Sequence, residues 1–143
     1  MESKIILALD VGLKRIGVAK CINGIPLCLE PILRKNRNQA ANAVRALVLE
    51  SQASVLVVGI PFLDHAKAKD SVATMQRRIK HFVGLLELES QMEIVFLDES
   101  FSSKEALDRL SDKKMRKKAH SKGGILDSLA ALVILERYLM RQK

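Results

Sequence analysis

The apolar positions divide the chain into alternating strand-like and helix-like stretches. Lys4 to Leu9 is a continuous apolar run built on Ile5, Ile6 and Leu7, short enough for a buried strand. Two further runs, Arg15 to Ile22 and Ile25 to Leu29, are joined by Asn23-Gly24, a pair suited to a tight hairpin turn. Three antiparallel strands are expected to open the fold. Asn36 to Ser51 then changes to helical spacing, with Ala40, Ala43, Val44, Leu47 and Val48 on one face. "SVLVVGIP", Ser54 to Pro61, reads as a buried strand closed by Gly59 and Pro61. A second helical stripe follows in Val72, Met75, Ile79, Phe82, Val83 and Leu86, and "EIVFLDE", Glu93 to Glu99, is again a short strand ending in acid. Ser102 and Glu105 have capping-box spacing, so a short helix is expected there. A long apolar helix is expected from about Ile125 to Met140.

Strands reached through helical crossovers lie parallel, whereas a meander is antiparallel. The pattern therefore predicts an α/β fold. Its five-stranded mixed sheet has three antiparallel strands and then two parallel ones, flanked by helices, in a single domain over residues 1–143. At 143 residues and 48% hydrophobic content, the chain can bury one core without disulfides or a structural metal. No apolar run approaches the ~18 residues of a membrane span, and the N-terminus reads as a strand rather than a signal peptide. A cytoplasmic protein with no membrane partner is expected. Cys21 and Cys28 have no companion set of zinc ligands and are expected to be packed thiols. His65, His81 and His120 show no metal-ligand spacing.

Charge adds a partner to this picture. The sequence carries 24 Lys and Arg against 16 Asp and Glu, and the excess is concentrated after Ser111, above all in "DKKMRKKAHSKGG", Asp112 to Gly124. Such a run can be a merely solvated loop, but beside a functional site it suits a polyanion. With one Tyr and four Phe, the chain lacks an aromatic platform for stacking single-stranded bases. Contacts to backbone and shape should dominate recognition.

Candidate chemistry lies where strands end, because ligands of α/β sheets gather at the carboxyl edge. Asp10 and Glu99 both stand at such ends. If their strands are neighbours or nearly so, the two carboxylates share one edge. Asp127 heads the last helix on the stripe of Ala130, Ala131, Ile134 and Tyr138, directed toward the sheet. An acid in the first helical turn also complements the macrodipole, but that role does not require an inward face. Three carboxylates in one neighbourhood repel each other unless cations join them, and Mg²⁺ accepts a few carboxylates together with water and phosphate oxygens. Gly12, Lys14 and Arg15, in the turn after Asp10, would give backbone access and positive charge to a scissile strand. The turn can equally be read as an ordinary one in which Gly12 takes an unusual backbone angle.

The stretches "ALDVGLKRIGVA", "VLVVGIP", "FLDESFSS" and "KGGILDSLAALVILERYL" resemble, in order and over nearly the whole chain, the motifs of the YqgF family, also called RuvX. The resemblance implies an RNase H-like fold, kinship to Holliday junction resolvases, and a hydrolase that matures the 5′ end of 16S ribosomal RNA. It implies that Asp10, Glu99 and Asp127 are catalytic and hold Mg²⁺ or Mn²⁺. Gly12, Lys14, Arg15, Gly17 and Lys122 would be substrate-side or turn residues. The implied partner is nucleic acid, pre-16S rRNA ahead of branched DNA, met by a monomer or weak homodimer. Departures from the pattern touch substrate contacts. Relatives usually read D-E-R where this chain has Asp98-Glu99-Ser100, the stretch after Pro61 lacks an N-x-D-G-type loop, and Lys122 stands five residues before Asp127. Strand alternation turns Asp98 away from Glu99, toward a structural role.

Other functions remain distinguishable. A DNA junction resolvase would need a dimer to cut two strands symmetrically. A non-catalytic nucleic-acid-binding factor would show no metal-dependent cleavage. An actin-like ATPase would close two such domains around nucleotide, and the sequence has no G-x-x-x-x-G-K-[ST] loop.

Overall fold

A computed structural model describes residues 4–62, 69–100 and 125–142, without the side chains of 69–71 and 125–127. The elements are β1 (Ile5–Val11), β2 (Arg15–Ile22), β3 (Ile25–Leu33), α1 (Arg37–Ser51), β4 (Val55–Ile60), α2 (Lys69–Gly84), β5 (Glu93–Asp98) and α3 (Ile125–Arg141). The expected short helix at Ser102 and the basic run Asp112 to Gly124 lie outside the described residues, as do His65 and His120.

The sheet runs β3-β2-β1-β4-β5. β1 and β2 pair antiparallel from Ile5↔Ile22 to Val11↔Ile16, and β4 joins the other side of β1 in parallel. β5 extends the parallel half. The expected mixed sheet is thus present, with β4 between the strands that carry Asp10 and Glu99. At the β2–β3 turn, Asn23 and Gly24 both have positive φ (54° and 80°), as a tight hairpin turn requires. β3 continues four residues past the expected Leu29, through a register shift that contains Pro31. Proline is tolerated there because β3 is an edge strand.

Strand alternation divides the interior in two. Leu7, Leu9, Val11, Ile16, Val18, Leu56 and Val58 pack with α1 and α2 on one face. Ile6, Ala8, Ala19, Cys21, Val55, Val57 and Leu97 pack with Ala131, Ile134, Leu135 and Tyr138 of α3 on the other. All six residues of β4 are buried, which explains its unbroken apolar run. α1 begins with a reciprocal capping box: Asn36 Oδ1 accepts the Gln39 N–H at 2.8 Å, and Gln39 Oε1 accepts the Asn36 N–H at 3.4 Å.

Two expectations need correction. Met75 is 44% exposed, because it lines a cavity beside α2 rather than packing in the core. Cys21 is buried as expected, but Cys28 is exposed on the edge strand, its thiol donating to the Ser128 carbonyl at 3.5 Å.

Candidate active site at the carboxyl edge of the sheet

Asp10 is the penultimate residue of β1 and has the parity of Ile6 and Ala8, so it faces the α3 side. Glu99 immediately follows β5, and its N–H donates to the Ile60 carbonyl at 2.9 Å, prolonging the β4–β5 ladder by one step. With the parity of Val95 and Leu97, Glu99 faces α3 as well. Across the intervening β4 both acids flank Gly59, one residue beyond the Leu9↔Val58 pair. A Cβ on Gly59 would lie 2.5 Å from Ile134 Cδ1 and 3.0 Å from Glu99 Oε2. Glycine at this position is what allows the Glu99 carboxyl group and α3 to approach the strand. On the other side, Asp10 is paired with Gly17 of β2, so no side chain stands beside it there.

The Asp10 and Glu99 carboxyl groups are within hydrogen-bonding reach of one another. Such a bond needs one proton between them, donated by one carboxyl to the other. Burial raises the Glu99 pKa above its ordinary value, the bond to Asp10 opposes the rise, and the negative charge of Asp98 reinforces it. Glu99 Oε2 is buried and has no hydrogen-bond donor among the described residues. A buried carboxyl oxygen without a donor disfavours the ionised form, in the same direction as the raised pKa.

Asp98 has a different task, in line with the expected structural role. Its Oδ1 accepts the Ser100 N–H at 2.9 Å, and its carbonyl accepts from Arg137 Nη1 at 2.8 Å. Burial pushes its pKa up, but hydrogen bonds from Ser100 and the Phe62 N–H, with the charge of Arg137, outweigh burial and hold it below the usual value. Ser100, where an arginine was expected from the resemblance, thus fixes the end of β5. Arg137 ties α3 to the same point. Near its start, α3 is held by Ser128, only 2% exposed, whose Oγ donates to the Leu29 carbonyl at 2.6 Å and accepts the Val18 N–H at 3.4 Å. Sequence reasoning missed Ser128 and Arg137 as positioning residues. The available signal was a serine beside Asp127 in an otherwise apolar inward turn.

Position 127 lies in α3 one turn before Ala131 and two before Ile134, both buried against the sheet. The Asp127 side chain and all of Lys122 lie outside the described residues. Arg15, at the start of β2, has the parity of Ala19 and shares the α3 face with Asp10, whereas Lys14 is exposed in the turn. Gly12 does not take a left-handed angle. Its need is proximity: its N–H donates to the Arg15 carbonyl at 3.0 Å, and a Cβ would come within 2.6 Å of that oxygen.

The raised pKa of Glu99 gives a pH prediction. A native carboxyl group with a raised pKa binds its proton more readily than the unfolded chain does. Its favourable contribution is therefore complete below its ordinary value near 4.5 and is lost as pH rises through the raised value. Urea unfolding in EDTA across this range is expected to show wild type losing stability relative to Glu99→Gln as pH rises. Parallel curves for the two proteins would contradict the assignment.

A 3-2-1-4-5 mixed sheet with helices on both faces is the framework of RNase H-like resolvases, and the solved structures agree on this fold. Thermus thermophilus RuvC in complex with a Holliday junction substrate superposes with a TM-score of 0.56, covering 97% of this chain and 96% of that one at 13% identity. The fowlpox virus Holliday junction resolvase gives 0.52, covering 96% and 98% at 15% identity. At the level of sequence, the family model RuvX, described as a Holliday junction resolvase, matches residues 4–141. A Campylobacter jejuni protein named "Putative pre-16S rRNA nuclease" is 52% identical over 133 residues, 92% of this chain and 95% of that one. A Helicobacter pylori protein of the same name is 48% identical over 134 residues, 93% of each chain. This chain belongs to the RuvX family.

Proposed function

We propose that this protein is a divalent-metal-dependent nuclease that hydrolyses phosphodiester bonds in structured nucleic acid, with the 5′ region of precursor 16S rRNA as its substrate. The observation that carries the reading is the Asp10–Glu99 carboxyl pair at the sheet edge, with a buried Glu99 oxygen that has no partner among the described residues. The names of the Campylobacter and Helicobacter relatives favour precursor rRNA over branched DNA.

The residues fit a metal ion. Two carboxyl groups meet where an added positive charge would replace the proton between them, and Gly17 and Gly59 leave the adjoining strands without side chains. Asp10, Glu99 and Asp127 are the residues that would hold Mg²⁺ or Mn²⁺. When bound, such an ion supplies Lewis-acid stabilisation of charge on phosphate oxygens and lowers the pKa of water. The chain's own contribution is to orient the acids: the Ile60 carbonyl fixes the Glu99 backbone, while Arg137 and Ser128 fix α3. Lys14, Arg15 and Lys122 would meet the phosphates of the strand.

The reading is tested by incubating purified protein with a 5′-extended 16S precursor and with a four-way DNA junction, each in Mg²⁺ and in EDTA. Cleavage of the precursor in Mg²⁺ alone is expected. Cleavage of the junction alone would transfer the activity to DNA, and cleavage of neither would leave a binding factor.

The basic run is assigned to strand affinity. Replacing Lys113, Lys114, Arg116, Lys117 and Lys118 with Gln is expected to weaken RNA binding and to flatten its dependence on log[salt] by about 0.7–0.9 per lost phosphate contact. Cleavage at saturating RNA should persist. An unchanged slope in binding titrations would move the contact surface to Lys14, Arg15 and the neighbouring helices.

A further inference from the structure

A cavity of about 740 Å³ opens on the other side of β1 from the acidic pair, between the β1–β2 turn, α1 and α2. Val11 lines it, and since Val11 and Asp10 are adjacent in a strand they point to opposite faces. The two sites therefore share the carboxyl edge of the sheet without sharing side chains. Among the described residues the polar lining is cationic: Arg34, Arg37 and Arg78, with His81 and Thr74. The apolar lining comes from Val11, Leu13, Met75 and Ile79.

The arginines are arranged to receive an anion. Arg34 is fixed by its Nη1, which donates to the Gly12 carbonyl at 2.9 Å, and by stacking on buried Phe82, its Cζ lying 5.1 Å from the ring centroid. That hydrogen bond uses one of five guanidinium N–H donors. Arg37 Nη1 stands 3.4 Å from His81 Nε2, and a guanidinium can only donate in such a contact. Arg78 makes no hydrogen bond or ion pair among the described residues, whereas its neighbour Arg77 donates to Thr74 Oγ1. Arg34 is held below its ordinary pKa by burial and by the positive charge of Arg37, so the two guanidinium groups repel. An anion between them would offset that repulsion, and a phosphate group offers the geometry for bidentate guanidinium bonds.

We propose that this cavity binds the phosphate group of a nucleotide, with Arg34, Arg37 and Arg78 on the phosphate and the wall of Leu13, Met75 and Ile79 against the adjoining sugar or base. The nucleotide is either free or a unit of an RNA strand, and the chemistry of capture is the same. As a statement about binding, the inference holds whether or not the acidic pair cuts.

The test is isothermal titration of the full chain in EDTA, where no cleavage runs, with AMP, adenosine and a 5′-phosphorylated RNA hexanucleotide. The wild type is expected to bind AMP, the hexanucleotide or both, and not adenosine. The double variant Arg37→Gln/Arg78→Gln is expected to bind the phosphorylated probe at least tenfold more weakly. Loss confined to the hexanucleotide would identify strand phosphate as the source, and loss for AMP would identify a mononucleotide. Equal binding of AMP and adenosine, unchanged affinities in the variant, or no binding of either phosphorylated probe would overturn the proposal. Should the double variant unfold, the single variant Arg78→Gln, which removes no described contact, gives the same reading. A protein that binds here but leaves RNA uncut in Mg²⁺ would retain this site and lose the nuclease function.

Discussion

Asp10→Asn is expected to reduce Mg²⁺-dependent cleavage at least about a hundredfold, the scale on which a single group stabilising transition-state charge acts. The expected unfolding temperature in EDTA is unchanged or higher. Both effects follow from one arrangement. The amide keeps the shape of the carboxyl group and can still donate to Glu99, but it removes one of the two negative charges that a cation would join. The metal-free protein is relieved of repulsion, while the metal-dependent reaction loses a ligand. A cleavage assay in Mg²⁺ paired with thermal unfolding in EDTA separates this from simple misfolding. Full activity in the variant would overturn the metal reading, and a lowered unfolding temperature would mean that Asp10 is a structural acid. Glu99→Gln should behave alike in cleavage.

Gly59→Ala is expected to be damaging despite adding a single methyl group. The added Cβ would meet Glu99 Oε2 at 3.0 Å and Ile134 Cδ1 at 2.5 Å. Ile134 is fully buried, so its methyl group has no free space to enter. Relief requires α3 to lift or Glu99 to swing away from Asp10, and overpacking of this kind costs about 1–3 kcal/mol. Stability and cleavage should fall together. Gly84→Ala is the control: its Cβ would meet nothing within 4 Å, and the change is expected to be neutral or to stabilise by up to about 1 kcal/mol. Urea unfolding and Mg²⁺-dependent cleavage measured on both variants check the contrast. Equal effects at the two glycines would mean that the approach of Glu99 and α3 over β4 is not what Gly59 provides.

These predictions rest on features of unequal visibility in the sequence. Asp10 and Glu99 were legible because each ends an apolar run, and chain direction in a parallel pair brings such ends to one edge. The placement of Asp127 in α3 was legible from helical periodicity. Gly59, in contrast, read only as a strand terminator. Its function depends on what crosses above it, an isoleucine from residue 134 and a carboxyl group from residue 99. Ser128 and Arg137 were invisible for the same reason, since their partners, the Leu29 and Asp98 carbonyls, are backbone atoms far away in the chain.

The cavity is the extreme case. Arg34, Arg37 and Arg78 come from the end of β3 and from two helices, and nothing in the sequence joins the short basic stretch at 34–37 to the one at 77–80; the conspicuous run lies elsewhere, between Asp112 and Gly124. Met75 looked like core because its spacing matched the buried stripe. Spacing alone does not report which position on a helical face opens onto a cavity.

The sequence by itself determined the elements, their order, the mixed sheet and the two acids at its edge. Those features follow from local periodicity, turn chemistry and chain direction. Tertiary structure alone decided that the Asp10 and Glu99 carboxyl groups come within reach of one another, that a glycine makes room for Glu99 and α3, and that three arginines meet around a cavity. Those depend on distances between residues remote in sequence, and periodicity carries no information about them.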